Sequence, residues 1–348
     1  MIDINVAQLL EQLCAVQGKK LIVADENWAL VNWADVALRS HPNLQLISNR
    51  YDIAQQAEAS GLTVIFNDLD FSIFDSHSFD AIFFRVSKER ASSHHVINQS
   101  IKLLKSQATL ILSGDKNDGI KSYVKKACVL MGDNSPAKKN GTSYLAKITF
   151  HQASKNLLND NNYQMIRPLE AVPENHISSK PGIFGWDKVD RGSAFLVTKL
   201  PMFLKRFKYP PERLLDLGCG YGYLGYCALK LSFKELTLTD NNAAALLAVT
   251  KNFKGSANQV NVIASDAGDT ITEQFDTILC NPPFHQGFAV DGDMCTKFLA
   301  ATKRLLAPHG HALFVVNTFI PLEKKAKHYF NVIDILASDG SFKLVALS

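Results

Sequence analysis

An amide, two prolines and an aromatic ring end one apolar stretch of the chain, in the order Asn281-Pro282-Pro283-Phe284. The run before them, FDTILC, is typical of a buried strand. Consecutive prolines remove two backbone donors and restrict the chain, so the flanking side chains are held at the strand's end. The Asn281 amide oxygen and the Pro282 carbonyl can accept both hydrogens of one exocyclic NH2 group, and the Phe284 ring can stack on a base. The turn therefore predicts capture of an amine on a planar ring.

A glycine-rich loop, DLGCGYG, follows an earlier apolar run that carries Asp216 near its end, and a helix is predicted from about Tyr223. Gly218, Gly220 and Gly222 let the backbone approach a ligand closely and direct amides at it. A dinucleotide G-x-G-x-x-G pattern also fits, starting at Gly220. It starts one step too late, because that fold needs its first glycine directly after the strand.

Two carboxylates end the next two predicted strands. ELTLTD ends on Asp240, which Asn241 follows, and a carboxylate there can accept both hydroxyls of a ribose. VNVIAS leads into Asp266-Ala267, where the acid can accept from an adenine amine and the apolar neighbour can pack on the ring. Each acid alone also fits a simple turn residue. Because the carboxyl ends of parallel strands share one edge of a sheet, the loop, the acids and the proline turn together predict one nucleoside pocket.

The elements that would position these residues alternate between strand and helix, which indicates an α/β protein with a mainly parallel sheet. The pattern runs through the chain twice. SFDAIFFRVS in the first half resembles QFDTILCNPP in the second, LQLISN resembles LTLTDN, and Asn140-Gly141 and Asp339-Gly340 each precede a last strand. An Asn-rich polar segment lies between the halves. We predict a duplication with one domain at residues 1–151, a linker at 152–179 and a second domain at 180–348.

The halves differ at the chemical positions. Arg85-Val86-Ser87 stands where the second half has Asn281-Pro282-Pro283, and Ser48 is matched to Asp240. The loop DLGCGYG is matched to VADENWA, which has no glycine. We therefore predict that the N-terminal domain is degenerate, takes no cofactor and supports the catalytic domain.

Composition excludes several classes of protein. Of 348 residues, 47% are hydrophobic and 20% are charged, which is typical of a globular chain and not of a disordered one. The net charge of +4 is compatible with nucleic acid but does not establish it. The six cysteines show no C-x-x-C or Cys/His metal spacing. With neither a signal-peptide pattern nor an apolar run of membrane-spanning length, we expect a cytoplasmic protein without membrane or metal.

The two motifs together resemble those of the S-adenosylmethionine-dependent amino methyltransferases. The whole chain resembles the ribosomal RNA small subunit methyltransferase C family, which methylates guanine N2 at position 1207 of 16S rRNA. KPGIFGWDKVDRGSAFLV (180–197) is similar to that family's P-G-x-F-x-x-x-x-x-D-x-G-S segment, and NTFIPL is another family-like stretch. The resemblance implies two tandem Rossmann-like class I methyltransferase domains. It also implies S-adenosylmethionine as cofactor and 16S rRNA or the assembled small subunit as partner, toward which the N-terminal domain would add RNA-facing surface. Nothing in the motifs defines the oligomeric state, and we expect a monomer.

The resemblance assigns roles residue by residue. Asp266 stands where relatives also have Asn, which leaves its role the least defined. The catalytic set is Asn281, Pro282, Pro283 and Phe284, and the cofactor set is Asp216, Gly218, Gly220, Gly222, Asp240, Asn241, Asp266, Ala267 and Asn281.

A substrate set is predicted beside these, consisting of Phe184, His285, Lys205 and Arg206. Lys205 and Arg206 belong to a basic cluster at 199–208 that interleaves with Phe203, Phe207 and Tyr209, which makes it the best candidate for contact with an RNA backbone.

Other functions fit parts of the sequence. A large-subunit guanosine could be the target, because a sister family shares these motifs. Protein-glutamine and DNA-adenine methyltransferases also use N-P-P-[FY], usually with Tyr at the position of Phe284, and they lack an α/β duplicate in front. A nicotinamide-dependent oxidoreductase and a non-enzymatic RNA-binding module are further alternatives, against which the intact loop and proline turn argue.

Overall fold

Two compact α/β units form the chain, described by a computed structural model over residues 2–39, 43–170, 177–231, 233–256, 258–283 and 288–348. The first unit is Met1–Met165 and the second is Ile166–Ser348. The prediction of two successive α/β domains is confirmed.

The first unit contains a seven-stranded sheet in the order β3-β2-β1-β4-β5-β7-β6, within its described residues. Neighbouring strands are parallel from β3 to β5, and β7 runs antiparallel to both β5 and β6. The strands are β1 (Lys20–Ala24), β2 (Leu44–Ser48), β3 (Thr63–Phe66), β4 (Phe79–Arg85), β5 (Leu104–Asp115), β6 (Lys138–Asn140) and β7 (Ser143–Thr149). The helices are α1 (Ile4–Gln12), α2 (Trp33–Arg39), α3 (Tyr51–Ala59), α4 (Arg90–Leu103) and α5 (Ile120–Met131).

The second unit repeats this sheet element for element, in the order β12-β11-β10-β13-β14-β16-β15. A two-stranded pairing of β8 with β9 precedes the sheet. The strands are β8 (Arg167–Pro168), β9 (Ser178–Ser179), β10 (Arg213–Leu217), β11 (Glu235–Asp240), β12 (Gln259–Ala264), β13 (Phe275–Cys280), β14 (Leu306–Asn317), β15 (Ile333–Ser338) and β16 (Phe342–Leu347). The helices are α6 (Arg191–Leu204), α7 (Tyr223–Ala228), α8 (Ala243–Asn252), α9 (Phe288–Leu305) and α10 (Leu322–Ala326).

Each sheet is covered on both faces, which explains why its central strands are apolar at nearly every position. In β1, Leu21 and Val23 pack into one hydrophobic cluster, whereas Ile22 packs into the cluster on the opposite face. The strand β13 alternates in the same way, with Ile278 in one cluster and Leu279 in the other. This is the period-two alternation of a parallel sheet buried between helical layers.

Strand pairing corrects one detail of the internal alignment. Lys20 pairs with Leu44 and Ala81, and Leu214 pairs with Leu236 and Thr277 at the corresponding places. Counting forward from Lys20 and Leu214 places Ile22, and not Val23, at the position of Asp216. The sequence match of DLGCGYG to VADENWA was therefore wrong by one residue.

The two loops share no residue type that could define their alignment, whereas the ladder hydrogen bonds of the neighbouring strands define it. With the register corrected, Trp28 occupies the position of Gly222, and Ser48 stays at the position of Asp240. Glycine is still absent from the first loop, which becomes IVADENW.

Part of the Asn-rich segment between the halves packs on the first unit. Asn98 exchanges two hydrogen bonds with the backbone of Leu158, at 2.8 and 2.9 Å. The buried Tyr163 hydroxyl donates to Asp68 at 2.9 Å. The division between the units follows shortly after, between Met165 and Ile166.

Candidate active site

The predicted cofactor residues and the start of the proline turn lie at the carboxyl edge of the second unit's sheet. From β10 the chain runs outward to β11 and β12, and it then returns to β13 on the other side of β10. Leu217, the last residue of β10, pairs with Cys280, the last residue of β13. The glycine loop and the proline turn therefore start side by side, at the switch point where open α/β sheets bind ligands.

The glycine loop is anchored to β11 by its own amides. Gly218 and Cys219 donate to the Thr239 carbonyl at 3.0 Å each. Gly220 has φ +55° and donates to Asp240 Oδ2 at 2.8 Å. A side chain built on Gly220 would meet nothing nearer than Ile183, 3.9 Å away, so the loop leaves room there for a ligand.

Gly222 has a different physical constraint. A Cβ on it would lie 2.9 Å from the Phe253 ring and 3.2 Å from Val249. The third glycine therefore permits close packing of the loop on helix α8, and its missing side chain does not face the open space beside Gly220.

Asp240 braces the loop and the start of the next helix with one carboxylate. Its Oδ2 accepts from Gly220 N and its Oδ1 accepts from Asn242 N, both at 2.8 Å. A carboxylate oxygen can accept from more than one donor, as a ribose diol would require. Asn241 is half-buried beside this carboxylate.

Asn242 is a neighbour that the sequence reasoning passed over. Its Nδ2 donates to the Gly182 carbonyl at 2.7 Å, while its Oδ1 caps helix α8 at Ala244 N. It thereby ties the 177–190 segment to the rim of the site. An Asn directly before a helical run is an N-cap signal, and that signal could have identified it.

Asp216 is buried below the loop with only 1% of its surface exposed. Its Oδ2 accepts from Gly225 N at 2.9 Å, and its Oδ1 has no hydrogen-bond partner among the described residues. Burial raises the pKa of Asp216 to about 7. The hydrogen bond from Gly225 N opposes this rise, and the negative charge of Asp240 adds to it. A donor or cation arriving at this edge would stabilise the ionised form.

Asp266 and Ala267 end β12 at the same edge. The Asp266 carboxylate contacts the Lys297 ammonium of helix α9, and its backbone N–H donates to Asp269 Oδ1 at 2.9 Å. Ala267 is buried with φ +52°, a conformation that turns the chain sharply after the strand.

The proline turn directly follows β13, with Asn281 half-buried, Pro282 buried and Pro283 exposed. The Asn281 amide nitrogen donates to Asp190 Oδ2 and to Ser193 Oγ, both at 2.8 Å. Phe284 and His285, predicted for base stacking and substrate binding, lie outside the described residues.

The remaining predicted substrate residues separate. Phe184 is 57% exposed on the segment that contains Gly182, near the loop. Lys205 and Arg206 follow the far end of helix α6, whose 14 residues span about 20 Å from the end beside Asn281. Arg206 forms an ion pair with Asp334 there. The structure therefore does not bring these two basic residues to the carboxyl edge.

The surroundings add two negative findings. Across the described ranges, no three His, Cys, Asp or Glu side chains meet in an arrangement that could hold a metal ion. No helix in the described part of the chain has both the length and the apolar character needed to cross a membrane.

Comparison with known proteins defines the class first. Residues 174–346 match the family described as methyltransferase small domain, and this range contains every site element described above. The second unit is thus a methyltransferase domain.

Relatives over the whole chain define the family. The chain is 25% identical over 348 residues to ribosomal RNA small subunit methyltransferase C of Haemophilus influenzae, covering 100% of this chain and 99% of the relative. It is 28% identical over 286 residues to the protein of that name from Hamiltonella defensa, covering 81% and 82%. The chain belongs to the ribosomal RNA small subunit methyltransferase C family.

A solved structure shows the same fold over both units. The T. thermophilus 16S rRNA N2 G1207 methyltransferase, determined with AdoMet and guanosine, superimposes with a TM-score of 0.80 at 21% identity. The match covers 98% of this chain and 91% of that one. The tandem arrangement of two methyltransferase-like domains is therefore common to both proteins.

Proposed function

We propose that this protein methylates the exocyclic N2 amine of one guanosine in 16S rRNA, at the position corresponding to 1207, using S-adenosylmethionine. The observation that carries the proposal is the pairing of Leu217 with Cys280. That pairing puts the Asp240-braced loop directly beside the Asn281 turn. A methyl donor held by the first would end next to an amine held by the second.

The residues at the loop fit the cofactor. The open side of Gly220 accommodates a ligand backbone, and Asp240 presents two carboxylate oxygens to a ribose. The unpartnered Asp216 Oδ1 suits a cationic group at the methionine end. When bound, S-adenosylmethionine supplies a methyl group that carries the electrophilic character of a sulfonium.

The chain's own part in the chemistry is positioning. Asn281 Oδ1 and the Pro282 carbonyl are acceptors for the two N–H bonds of the guanine amine, and this aims the nitrogen lone pair at the methyl carbon. As the N–C bond forms and the C–S bond breaks, positive charge develops on N2, where both acceptors stabilise it. The released proton passes to solvent or to a nearby acceptor. The rigid turn makes the geometry available before the reaction starts.

Ribosomal RNA as partner gives the rest of the surface a role. Lys205 is an exposed cation directly after helix α6. An rRNA helix is long enough to contact both Lys205 and the carboxyl edge of the sheet. We propose that the first unit takes no cofactor and adds RNA-facing surface and stability. The protein would act as a monomer on the small subunit in the cytoplasm, as a step of ribosome biogenesis.

The test is methyl transfer from tritiated S-adenosylmethionine to undermethylated small subunits, large subunits and free 16S rRNA, followed by mass mapping of the product. Label at N2 of one guanosine of 16S rRNA is the expected result. Label only in 23S rRNA would move the substrate to the large subunit. Label in protein or DNA, with neither rRNA modified, would overturn the proposal.

A further inference from the structure

The Asn281 amide is held by two acceptors from another part of the chain. Asp190 lies 91 positions earlier, and its Oδ2 accepts from Asn281 Nδ2 at 2.8 Å. Ser193 Oγ accepts from the same nitrogen at 2.8 Å. An amide nitrogen has two hydrogens, so these acceptors use both. A carboxylate cannot donate, and a flipped amide would point its oxygen at a negative charge. The orientation of Asn281 is therefore defined, and within the described ranges no donor occupies its Oδ1, which is left for a ligand.

We propose that Asp190, assisted by Ser193, is a positioning residue that aims the Asn281 oxygen at the guanine amine. The inference rests on the proposed function for the identity of that amine. In the proposed arrangement, Asp190 itself does not contact the substrate. It acts through Asn281, by fixing which end of the amide faces the reacting nitrogen.

Gly192 belongs to the same arrangement. A Cβ on Gly192 would lie 3.1 Å from Asp190 Oδ2 and 3.0 Å from the Phe342 ring. The missing side chain gives the carboxylate room between helix α6 and strand β16. The stretch Asp190-Arg191-Gly192-Ser193 thus supplies an acceptor, the space for it and a second acceptor.

Comparison with the first unit distinguishes this positioning role from helix capping. Asp3 caps helix α1 by accepting from Asn5 N at 2.7 Å, as Asp190 caps α6 by accepting from Ser193 N at 2.8 Å. Asp3 also accepts from Arg85, the residue at the position of Asn281, at 3.2 Å. The capping carboxylate is therefore present in both units.

The other two parts of the arrangement are not duplicated. Asn5 and Val6 stand where the second unit has Gly192 and Ser193. A cap alone needs neither of these two residues, and they occur only in the unit that contains Asn281. This difference indicates that the segment serves the amide as well as the helix.

Two substitutions at Asp190 separate the cap from the positioning. Asp190→Ser keeps a good N-cap oxygen but is too short to reach Asn281, so we expect kcat to fall about 10- to 100-fold. Asp190→Asn keeps an acceptor of the same reach, so we expect a loss of about threefold or less. Cofactor affinity and thermal stability should change little in either variant. Asp3→Ser in the first unit is the matched control, and its kcat should equal that of the wild type.

Exchanging the side-chain types of Asp190 and Asn281 tests positioning specifically, because a purely structural role of Asp190 would not predict recovery of activity. Asn281→Asp alone places two carboxylates face to face, and they repel. Adding Asp190→Asn restores one amide donor and one carboxylate acceptor across the contact. We expect the double variant to recover at least about tenfold in kcat over Asn281→Asp. No recovery would contradict the proposal.

A measurement without RNA keeps the inference testable independently of the substrate. The side-chain NH2 signals of Asn281, assigned by their loss in Asn281→Ala, should exchange with solvent about tenfold faster in Asp190→Ser than in the wild type. Unchanged exchange would overturn the inference. An inactive wild type on ribosomal subunits would overturn the proposed function, whereas an active wild type with an equally active Asp190→Ser would overturn this inference alone.

Discussion

At the end of its fourth strand the first unit carries Arg85, where the second unit carries Asn281. Arg85 is 4% exposed, and its guanidinium donates to Asp118 at 2.7 Å, to the Val86 carbonyl at 2.6 Å and to Asp3 at 3.2 Å. Asn281 uses one end of its amide in the same way and keeps the other end for a ligand. In the first unit the side chain at the strand end bonds to protein groups on all sides, whereas in the second unit the amide oxygen at the strand end faces the proposed substrate.

The loops after the first strands differ in the same sense. Trp28 stands at the position of Gly222, is fully buried, and stacks on Trp33 with ring centroids 5.9 Å apart. Ser48 replaces Asp240 and accepts from Arg50 N at 3.0 Å. The first unit therefore has a bulky indole where the second packs a glycine on helix α8, and a locally bonded hydroxyl where the second has carboxylate oxygens. The fold thus persists without the site, because packing on both faces of the sheet does not depend on the carboxyl edge.

The largest expected effect concerns the stability of the first unit. Arg85→Ala should lower the free energy of unfolding by roughly 3–5 kcal/mol, because it leaves the Asp118 and Asp3 carboxylates without their buried cation. Urea denaturation measures this loss. Turnover per folded molecule should stay at the wild-type value, and a specific loss of turnover in folded protein would place chemistry in the first unit.

Asn281→Ala should give the opposite result. Losing one preorganised acceptor should slow methyl transfer by about 10²–10³, roughly 2.7–4 kcal/mol of transition-state stabilisation. Cofactor affinity and unfolding should remain close to wild type, because the side chain's free end faces the substrate. Single-turnover assays on undermethylated small subunits, run beside a cofactor titration, measure both quantities. A wild-type rate would exclude amine capture by this turn.

The ribose position offers a matched pair with a smaller effect. Asp240→Ala should weaken cofactor binding by roughly 1.5–3 kcal/mol, through loss of charge-assisted hydrogen bonds and of the brace on Gly220. Ser48→Ala, at the corresponding position of the first unit, should leave affinity unchanged. Calorimetry with S-adenosylhomocysteine compares them, and equal affinities would mean that the ribose contact lies elsewhere.

A pH-dependent comparison concerns one buried acid in each unit. Burial raises the pKa of Asp216 and, in the first unit, of Asp25 to about 7 each. Both groups hold protons in the folded protein that they release when it unfolds, so stability should fall as pH rises from about 4 to 7. Asp216→Asn and Asp25→Asn should each remove part of this slope in urea denaturation.

Cofactor binding should distinguish the two acids. A cation near Asp216 favours its ionised form, so S-adenosylmethionine affinity should rise a few-fold between pH 6 and 8. Asp216→Asn should flatten that rise, and Asp25→Asn should not affect it. If both substitutions changed the pH dependence of affinity equally, the prediction that only the second unit binds cofactor would be contradicted.

Local pattern was sufficient to predict much of this architecture. Apolar runs that alternate with helical segments predicted both sheets, the strand-end position of Asp240 placed it at the loop, and α7 begins at Tyr223 as expected. The contact of Asp190 with Asn281 was not predictable from spacing, because it joins residues 91 positions apart. Lys205 was predicted to contact RNA from its basic cluster and the aromatic residues interleaved with it, and the length of helix α6 places it far from Asn281.

We expect only the second unit to bind cofactor, because the first has lost the glycines and the carboxylate of the loop. Calorimetric titration of the whole chain with S-adenosylhomocysteine counts the sites, with Gly220→Val as the variant that fills the open side of the loop. We predict a stoichiometry near one for the wild type and no binding by Gly220→Val. A stoichiometry near two, or one site that survives Gly220→Val, would contradict the claim.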